Sequence, residues 1–321
     1  MTVNRHLDEL YGLRSHTFPA LDGGTGNLPA PDAVAWRFNT NHFYSNGEDW
    51  NSLFARFCDT VDTTRVKALI VGQWGDASSD DSAEAVKTLV AARDSFPALR
   101  AVFIGDMVGE ECEISWIRQT DVTPLLTGFP ELEEFGVRGG SGLEFPATSH
   151  RALRKLVIQT GGLSAEVVRG VGAGDLPALE HLDLWLGTDE YGGDSEVADL
   201  EPFLSGARLP RLRHLALRNS EIQDEIAVAV AAAPVVARLE VLDLSMGILT
   251  DEGAAALLAG QPLTHLKKLD LHHNYLTEPL MDRLLQTLGA AGVEVDLDHD
   301  GAEEDEDEDD DEPFRYIAVA E

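Results

Sequence analysis

The chain has 321 residues, 24 of them basic and 57 acidic, which gives a formal charge of −33 and a pI near 4.4. An apolar fraction of 44% is enough to bury a sizeable core and excludes wholesale disorder. The charge argues against a nucleic-acid binder, because phosphates are recognised mainly by Lys and Arg, and against docking on an anionic membrane surface.

The longest apolar stretch, Ile226 to Ala237, is interrupted by Pro234 and falls short of the roughly 20 residues that cross a bilayer. Asp8 and Glu9 precede any apolar run, so the start does not read as a secretory signal. Two distant cysteines, Cys58 and Cys112, do not make a disulfide scaffold and point to a reducing, cytoplasmic home.

Residues 1–60 show no clear repeat. Val34 to Phe38 alternates like a strand, and Trp50, Leu53, Phe54 and Phe57 share one face of a helix. This segment is expected to cap a repeat array, whose first core edge must be covered.

From residue 61 one phrase recurs: an apolar residue, two variable ones, then two apolar residues separated by one more. It begins loosely at Val66 and returns at Leu99, Leu132, Leu153, Leu179, Leu212, Leu239 and Leu266, with a degenerate last copy at Val293. The final steps are 27 residues, room for a strand and a helix, whereas the step of 21 from Leu132 to Leu153 is too short for a full helix.

Helices are predicted between the phrases. Ser82 or Asp81 starts one with Val86, Leu89 and Val90 inward, and Glu221 to Ala233 carries Ile222, Ile226 and Val230 at helical spacing. Thr250 caps a run ended by Gly260. Thr277 opens another, with Pro279 early and Leu280, Leu284, Leu285 and Leu288 on one face. Glu303 to Glu312 is an unbroken acidic run expected to stay extended. Without it the charge falls to −23. The apolar peptide Pro313–Glu321 that follows docks in cis, docks on a partner, or is an inert tail.

The phrase resembles the leucine-rich repeat, L-x-x-L-x-L-x-x-N, over residues 61–300, in about eight to nine copies of the helix-backed, ribonuclease-inhibitor type. Asn274 matches its final Asn, but Trp74, Met107, Gly161, Gly187 and Gly247 stand there elsewhere. The resemblance implies an α/β leucine-rich-repeat solenoid, a curved horseshoe with a parallel sheet on the concave face and helices and loops on the convex face. Residues 1–60 are then the cap and 301–321 the acidic linker with its terminal peptide. Gly105 to Leu126, Trp185 to Asp194 and the terminal RYIAVAE also resemble a family of cytoplasmic leucine-rich-repeat proteins in actinobacteria and other bacteria, which implies a fold and a location rather than an activity.

The paired apolar residues of each phrase point into the solenoid, and the residues between them point out. The outward set offered as a partner-binding face is Phe103, Arg138, Lys155, His181, Asp183, Trp185, His214, Arg218, Asp243, Ser245, Lys268, Asp270 and His272. Trp and Arg are enriched at binding hot spots, with Arg218 expected to pair a partner carboxylate and Asp183, Asp243 and Asp270 basic side chains.

Other clusters are weaker. Asp106, Glu110, Glu111 and Glu113 form an acidic loop around Cys112, expected to be solvated, and Cys112 has no neighbouring base to activate it. His272, His273, Asp270, Asp298, His299 and Asp300 lack the spacing of a known metal site. The glycine clusters at 23–26, 139–142 and 192–193 lack the Gly-Lys-Ser/Thr of a phosphate loop and read as turns.

The leading expectation is a non-catalytic module that binds a protein, basic in character, without cofactor, metal, nucleic acid or membrane. The alternatives are a regulator of a partner enzyme, by inhibition or by GTPase activation of the kind that helix-backed repeats with acidic tails resemble, and a metal-dependent enzyme using the 105–116 loop.

Overall fold

A computed structural model describes residues 3–21, 24, 26–40, 48–302, 304–305 and 313–321. The glycine cluster at 23–26 and the acidic run Glu303 to Glu312 therefore lie largely outside the described residues. Among those residues, no helix is long and apolar enough to cross a membrane. The chain divides into two compact units.

The first unit runs through Gln159 and takes in Gly174–Leu176. Its strands are β1 (Glu9–Leu10), β2 (Leu13–Thr17), β3 (Ala35–Phe38), β4 (Ala68–Val71), β5 (Ala101–Ile104), β6 (Glu134–Arg138) and β7 (Lys155–Gln159), and its helices are α1 (Trp50–Thr60), α2 (Ala83–Ala91) and α3 (Thr123–Gly128). Strands β2 to β7 pair in chain order and in parallel, with Trp36 opposite Leu69, Leu69 opposite Val102 and Phe135 opposite Leu156. Parallel pairing needs a crossover between consecutive strands, and the helices supply several of them. The short step after β6 has none: residues 139–154 return through isolated bridges such as Asp121 to Glu144.

The first 60 residues do more than cap. Strands β2 and β3 extend the parallel sheet, and β1 folds back on β2 through Tyr11 and Gly12, both in the left-handed region at φ 57° and 67°, as a two-residue hairpin turn requires. Helix α1 forms as the spacing predicts, with Asp49 capping it through Ser52 N–H. Its Phe57 is fully buried, its ring centroid 4.9 Å from Phe38, 5.2 Å from Phe18 and 5.3 Å from Trp36.

The second unit holds Thr160–Ala173 and Pro177–Ala320. Its elements are α4 (Ala165–Ala173), β8 (His181–Gly187), α5 (Glu201–Leu204), β9 (His214–Ser220), α6 (Gln223–Val230), β10 (Val241–Asp243), α7 (Asp251–Ala259), β11 (Lys268–Asp270), α8 (Glu278–Thr287) and β12 (Glu294–Asp296), with β13 (Glu304–Asp305) and β14 (Phe314–Arg315) paired antiparallel apart from the main sheet. Strands β8 to β12 pair in parallel and in chain order, with Leu182, Leu215, Leu242, Leu269 and Val295 in one row. These leucines and their partners two residues on, Leu184, Leu217, Leu244 and Leu271, are wholly buried. Strand and helix thus alternate in step with the sequence repeat, and the fold is an α/β leucine-rich-repeat solenoid.

Helix α7 starts at Thr250, whose hydroxyl accepts from Glu252 N–H, and stops at Gly260. Helix α8 follows Thr277, but it buries Leu284 and Leu288 while Leu285 stands exposed. Asn274 plays the part of the repeat's Asn, donating to Leu271 O at 2.8 Å and to Leu297 O at 3.4 Å.

Phe57 joins β2, β3 and α1, so Phe57→Ala is expected to cost about 3–5 kcal/mol. Urea denaturation with a lowered midpoint and little change in slope is the expected result.

Candidate functional site

The alternation that buries the leucines sends the fifth and seventh residues of each phrase to the opposite sheet face. What happens on that face differs between the two units.

In the first unit the face is covered. Leu10 packs with Ala35, Ala68, Ile70, Ala101 and Phe103, and Leu7, Tyr11 and Leu13 pack against this cluster. Phe103, placed outward by the sequence, is 3% exposed beneath the N-terminal hairpin, its ring over Gly136 where no Cβ intervenes. Arg138 is buried as well.

The acidic loop after β5 is likewise not what its composition suggests. Gly105 turns the chain at φ 86°, and Asp106 is fully buried. Its Oδ2 lies 3.1 Å from Arg37 Nε, and its Oδ1 accepts from Leu7 N–H at 3.0 Å and lies 3.4 Å from Arg138 Nη1. Burial pushes the Asp106 carboxyl up, but His6, Arg37, Arg138 and the Leu7 N–H outweigh it and hold it below its usual value. Asp106 is thus the pin that ties the N-terminal segment to the sheet, and the expectation of a solvated cluster is corrected for it. Burial, Asp76 and Glu113 push the Cys112 thiol up to about 11, so it is no nucleophile at neutral pH. Lys155, half-exposed, pairs Glu134 at 2.7 Å.

In the second unit the face is built of charge. Across the strands the fifth positions are Asp183, Ala216, Asp243, Asp270 and Asp296, and the seventh include Trp185 opposite Arg218. Ala216 leaves a gap in the acidic row, and Arg218 fills it. The guanidinium makes two bonds to Asp183, at 3.0 and 2.7 Å, and lies 3.3 Å from Asp243 and 5.2 Å from the centroid of Trp185. Arg218 is therefore engaged within the chain and does not stand free for a partner carboxylate. Trp185 beneath it is 8% exposed. Ser245 is buried and donates to Asp243 Oδ1 at 2.6 Å. Burial pushes the Asp243 carboxyl up, against the pull of Arg218.

The C-terminal end of the row is more open. Lys268 Nζ sits 2.9 Å from Asp270 and 3.6 Å from Asp296, and His272 Nδ1 is 2.7 Å from Asp270 Oδ1. His181 and His214 stack at 3.7 Å between centroids. Burial opposes ionisation of Asp270, yet the bonds from His272 and Lys268 hold it well below the usual carboxylate range. The same Asp270 bond raises His272 above its ordinary 6.5. Among the described residues, Asp270, His272 and Asp296 form one group close enough to share a cation, but the Lys268 ammonium already lies against both carboxylates. His273 points elsewhere, its Nε2 2.9 Å from Tyr316 O, so the adjacent histidines diverge.

One set of residues escaped the sequence reading. Asn219, Met246 and His273 hold the same position of three successive repeats, all with φ between 52° and 68°, and all touch residues 316–319. The only signal was their common spacing of 27, which carries no residue type.

Compared with known proteins, the chain matches no family model and no curated protein. Among solved structures it resembles a structural-genomics protein from Bacteroides fragilis, at 28% identity and a TM-score of 0.77, over 83% of this chain and 75% of that one. An internalin from Listeria monocytogenes matches at 13% identity and a TM-score of 0.37, over 83% of this chain and 61% of the internalin.

Asp106→Ala is expected to cost about 3–5 kcal/mol by stranding two buried guanidinium groups, seen as a lowered urea midpoint. His272 is expected to titrate by NMR with a midpoint above 6.5. A raised histidine stabilises fully below its unfolded value, so this contribution fades as pH rises through that midpoint. His272→Ala is expected to lose that alkaline-side decline in chemical denaturation across pH 6 to 9.

Proposed function

We propose that this chain is a non-catalytic, cytoplasmic protein-binding module whose sheet face on β8 to β12 receives a basic partner. The observation that carries this reading is the row Asp183, Asp243, Asp270 and Asp296, against which, among the described residues, Arg218 and Lys268 stand as the permanent cations and His272 bonds Asp270. Half-buried His181, His214 and His272 stand beside it. Two counter-ions against four carboxylates leave a negative field, reinforced by the −33 of the whole chain, that favours encounter with cations. Repeat arrays offer extended surfaces suited to such recognition. Arg218 and Trp185 serve as the rigid floor of the site, the buried Asp183, Asp243 and Asp270 supply its field, and its contacts with a partner come from the histidines, Lys268 and Asp296.

The same geometry weighs against a metal-dependent enzyme. The one buried carboxylate of the 105–116 loop is already balanced by two arginines. Membership among the cytoplasmic repeat proteins of actinobacteria is part of this proposal and rests on the sequence stretches quoted above.

The test uses Glu294→Lys with Asp296→Lys, both on the last strand and away from the buried core. The tagged wild-type chain should capture a basic protein from its native lysate, and the capture should weaken with rising salt. The double variant, with an unchanged melting curve, should lose it at least tenfold. Equal capture by both would overturn the site.

A further inference from the structure

The C-terminal peptide is held mainly through its backbone. The Asn219 side chain donates to Val319 O at 2.6 Å and accepts from Val319 N–H at 2.9 Å. Ala318 N–H donates to Met246 O at 2.8 Å. The Tyr275 hydroxyl accepts from Tyr316 N–H at 2.9 Å and donates to Tyr316 O at 2.7 Å, where His273 Nε2 also bonds. An amide or hydroxyl that gives and takes one bond on the same residue imitates a neighbouring strand, and it reads any extended peptide.

Side chains add selectivity. Ile317 and Val319 are buried, while Phe314 and Tyr316 are 57% and 52% exposed, the alternation of a strand with one face down. Arg315, in the same downward register, lines a cleft of about 560 Å³ with Glu221, Asp224, Glu225 and Glu252. The Arg315 guanidinium also lies 5.6 Å from the centroid of Tyr275, so the groove accommodates a basic residue, then aliphatic residues two and four positions on.

Two observations indicate that this occupant is exchangeable. The contacts of Tyr316, Ala318 and Val319 given above are all to backbone N–H and C=O groups, so they transfer to another peptide unchanged. Its link to the last repeat is the ten-residue acidic run Glu303 to Glu312; Glu304–Asp305 of that run pair antiparallel with Phe314–Arg315, but the run's net charge opposes docking on a chain that is already acidic. Tethering offsets that cost through a high effective concentration.

We propose that Asn219, Met246, His273 and Tyr275 form a peptide-binding groove in which the C-terminus is a resident stand-in for an extended basic-x-aliphatic-x-aliphatic segment of a partner protein. The high negative charge of the chain disfavours a second copy as the donor. The groove is distinct from the sheet-face site, and either can fail without the other.

The test uses the full-length chain carrying Ile317→Asp with Val319→Asp, which frees the groove, and a fluorescein-labelled synthetic peptide of residues 313–321. Anisotropy should show saturable binding at least tenfold tighter than to the wild-type chain. Arg315→Glu in the peptide, or Asn219→Gly in the chain, which keeps the left-handed backbone, should weaken it at least fivefold. No binding by a variant with unchanged circular dichroism and melting, or equal binding by wild type and variant, would overturn the proposal. Should the variant fail to fold, hydrogen exchange on the wild-type chain decides. The Ala318 and Val319 amides should exchange faster than those of β9 and β10, and faster still with excess free peptide. Protection equal to the core and indifferent to peptide would overturn it, as would a concentration-dependent dimer that trades its C-termini.

Discussion

The repeat phrase closes only one face of the sheet it builds. Period-two alternation sends each pair of leucines inward and by the same geometry sends the residues between them out. Parallel sheets are rarely left bare on either face, so the outward rows need a solution of their own. In the first unit that solution is apolar. Ala35, Ala68 and Ala101 keep the face shallow, and Leu10 with its neighbours lies over it. Asp106 fixes this cover by accepting from Leu7 N–H while two buried arginines balance its charge. In the second unit the solution is ionic.

The ionic solution depends on a small residue. Strands in a sheet lie about 4.8 Å apart, and like charges directly opposite one another destabilise the pairing. Asp243 and Asp270 are such a pair, and Asp270 and Asp296 another. Ala216, between Asp183 and Asp243, has no bulk, so the Arg218 guanidinium can lie across it and bond both aspartates. Lys268 does the same for Asp270 and Asp296. Asp183, Asp243 and Asp270 are buried, and pairing each with a cation offsets their desolvation penalty, while the row as a whole stays net negative.

The repeats were legible because their signal is periodic and redundant. Each copy places apolar residues, most often leucine, at the same three positions, and helix caps such as Thr250 and Gly260 act through local chemistry. The outward face was legible as a direction but not as a surface. Nothing near Phe103 in the sequence says that Leu7 to Leu13 will lie on it, and nothing near Arg218 says that the gap at Ala216 will draw it in. The deciding contacts, Phe103 with the N-terminal segment and Arg218 with Asp183 and Asp243, join residues far apart in the chain. Composition also misled at Asp106. An acidic residue among Glu110, Glu111 and Glu113 reads as solvated, but the turn at Gly105 carries it beneath the N-terminal segment.

The eighth position of the repeat shows how function can enter a fold whose other positions are committed. The fourth and sixth residues belong to the core, the fifth and seventh to the sheet face, and the ninth, where it is Asn274, to the bonds that tie one turn to the next. At Asn219, Met246 and His273 the backbone N–H joins those bonds, donating to Ser245 O, His272 O and Asp298 O, and the phrase leaves the side chain unspecified. All three take the left-handed conformation, which disfavours a residue with a Cβ by about 1–2 kcal/mol. Carried in three successive repeats, that strain needs a compensating contact, and each of the three has one in the terminal peptide. A solenoid brings such positions into a row for the same reason it aligns its leucines. Three exceptions to the backbone's preference, spaced by 27 residues, therefore add up to one continuous line of hydrogen-bonding groups.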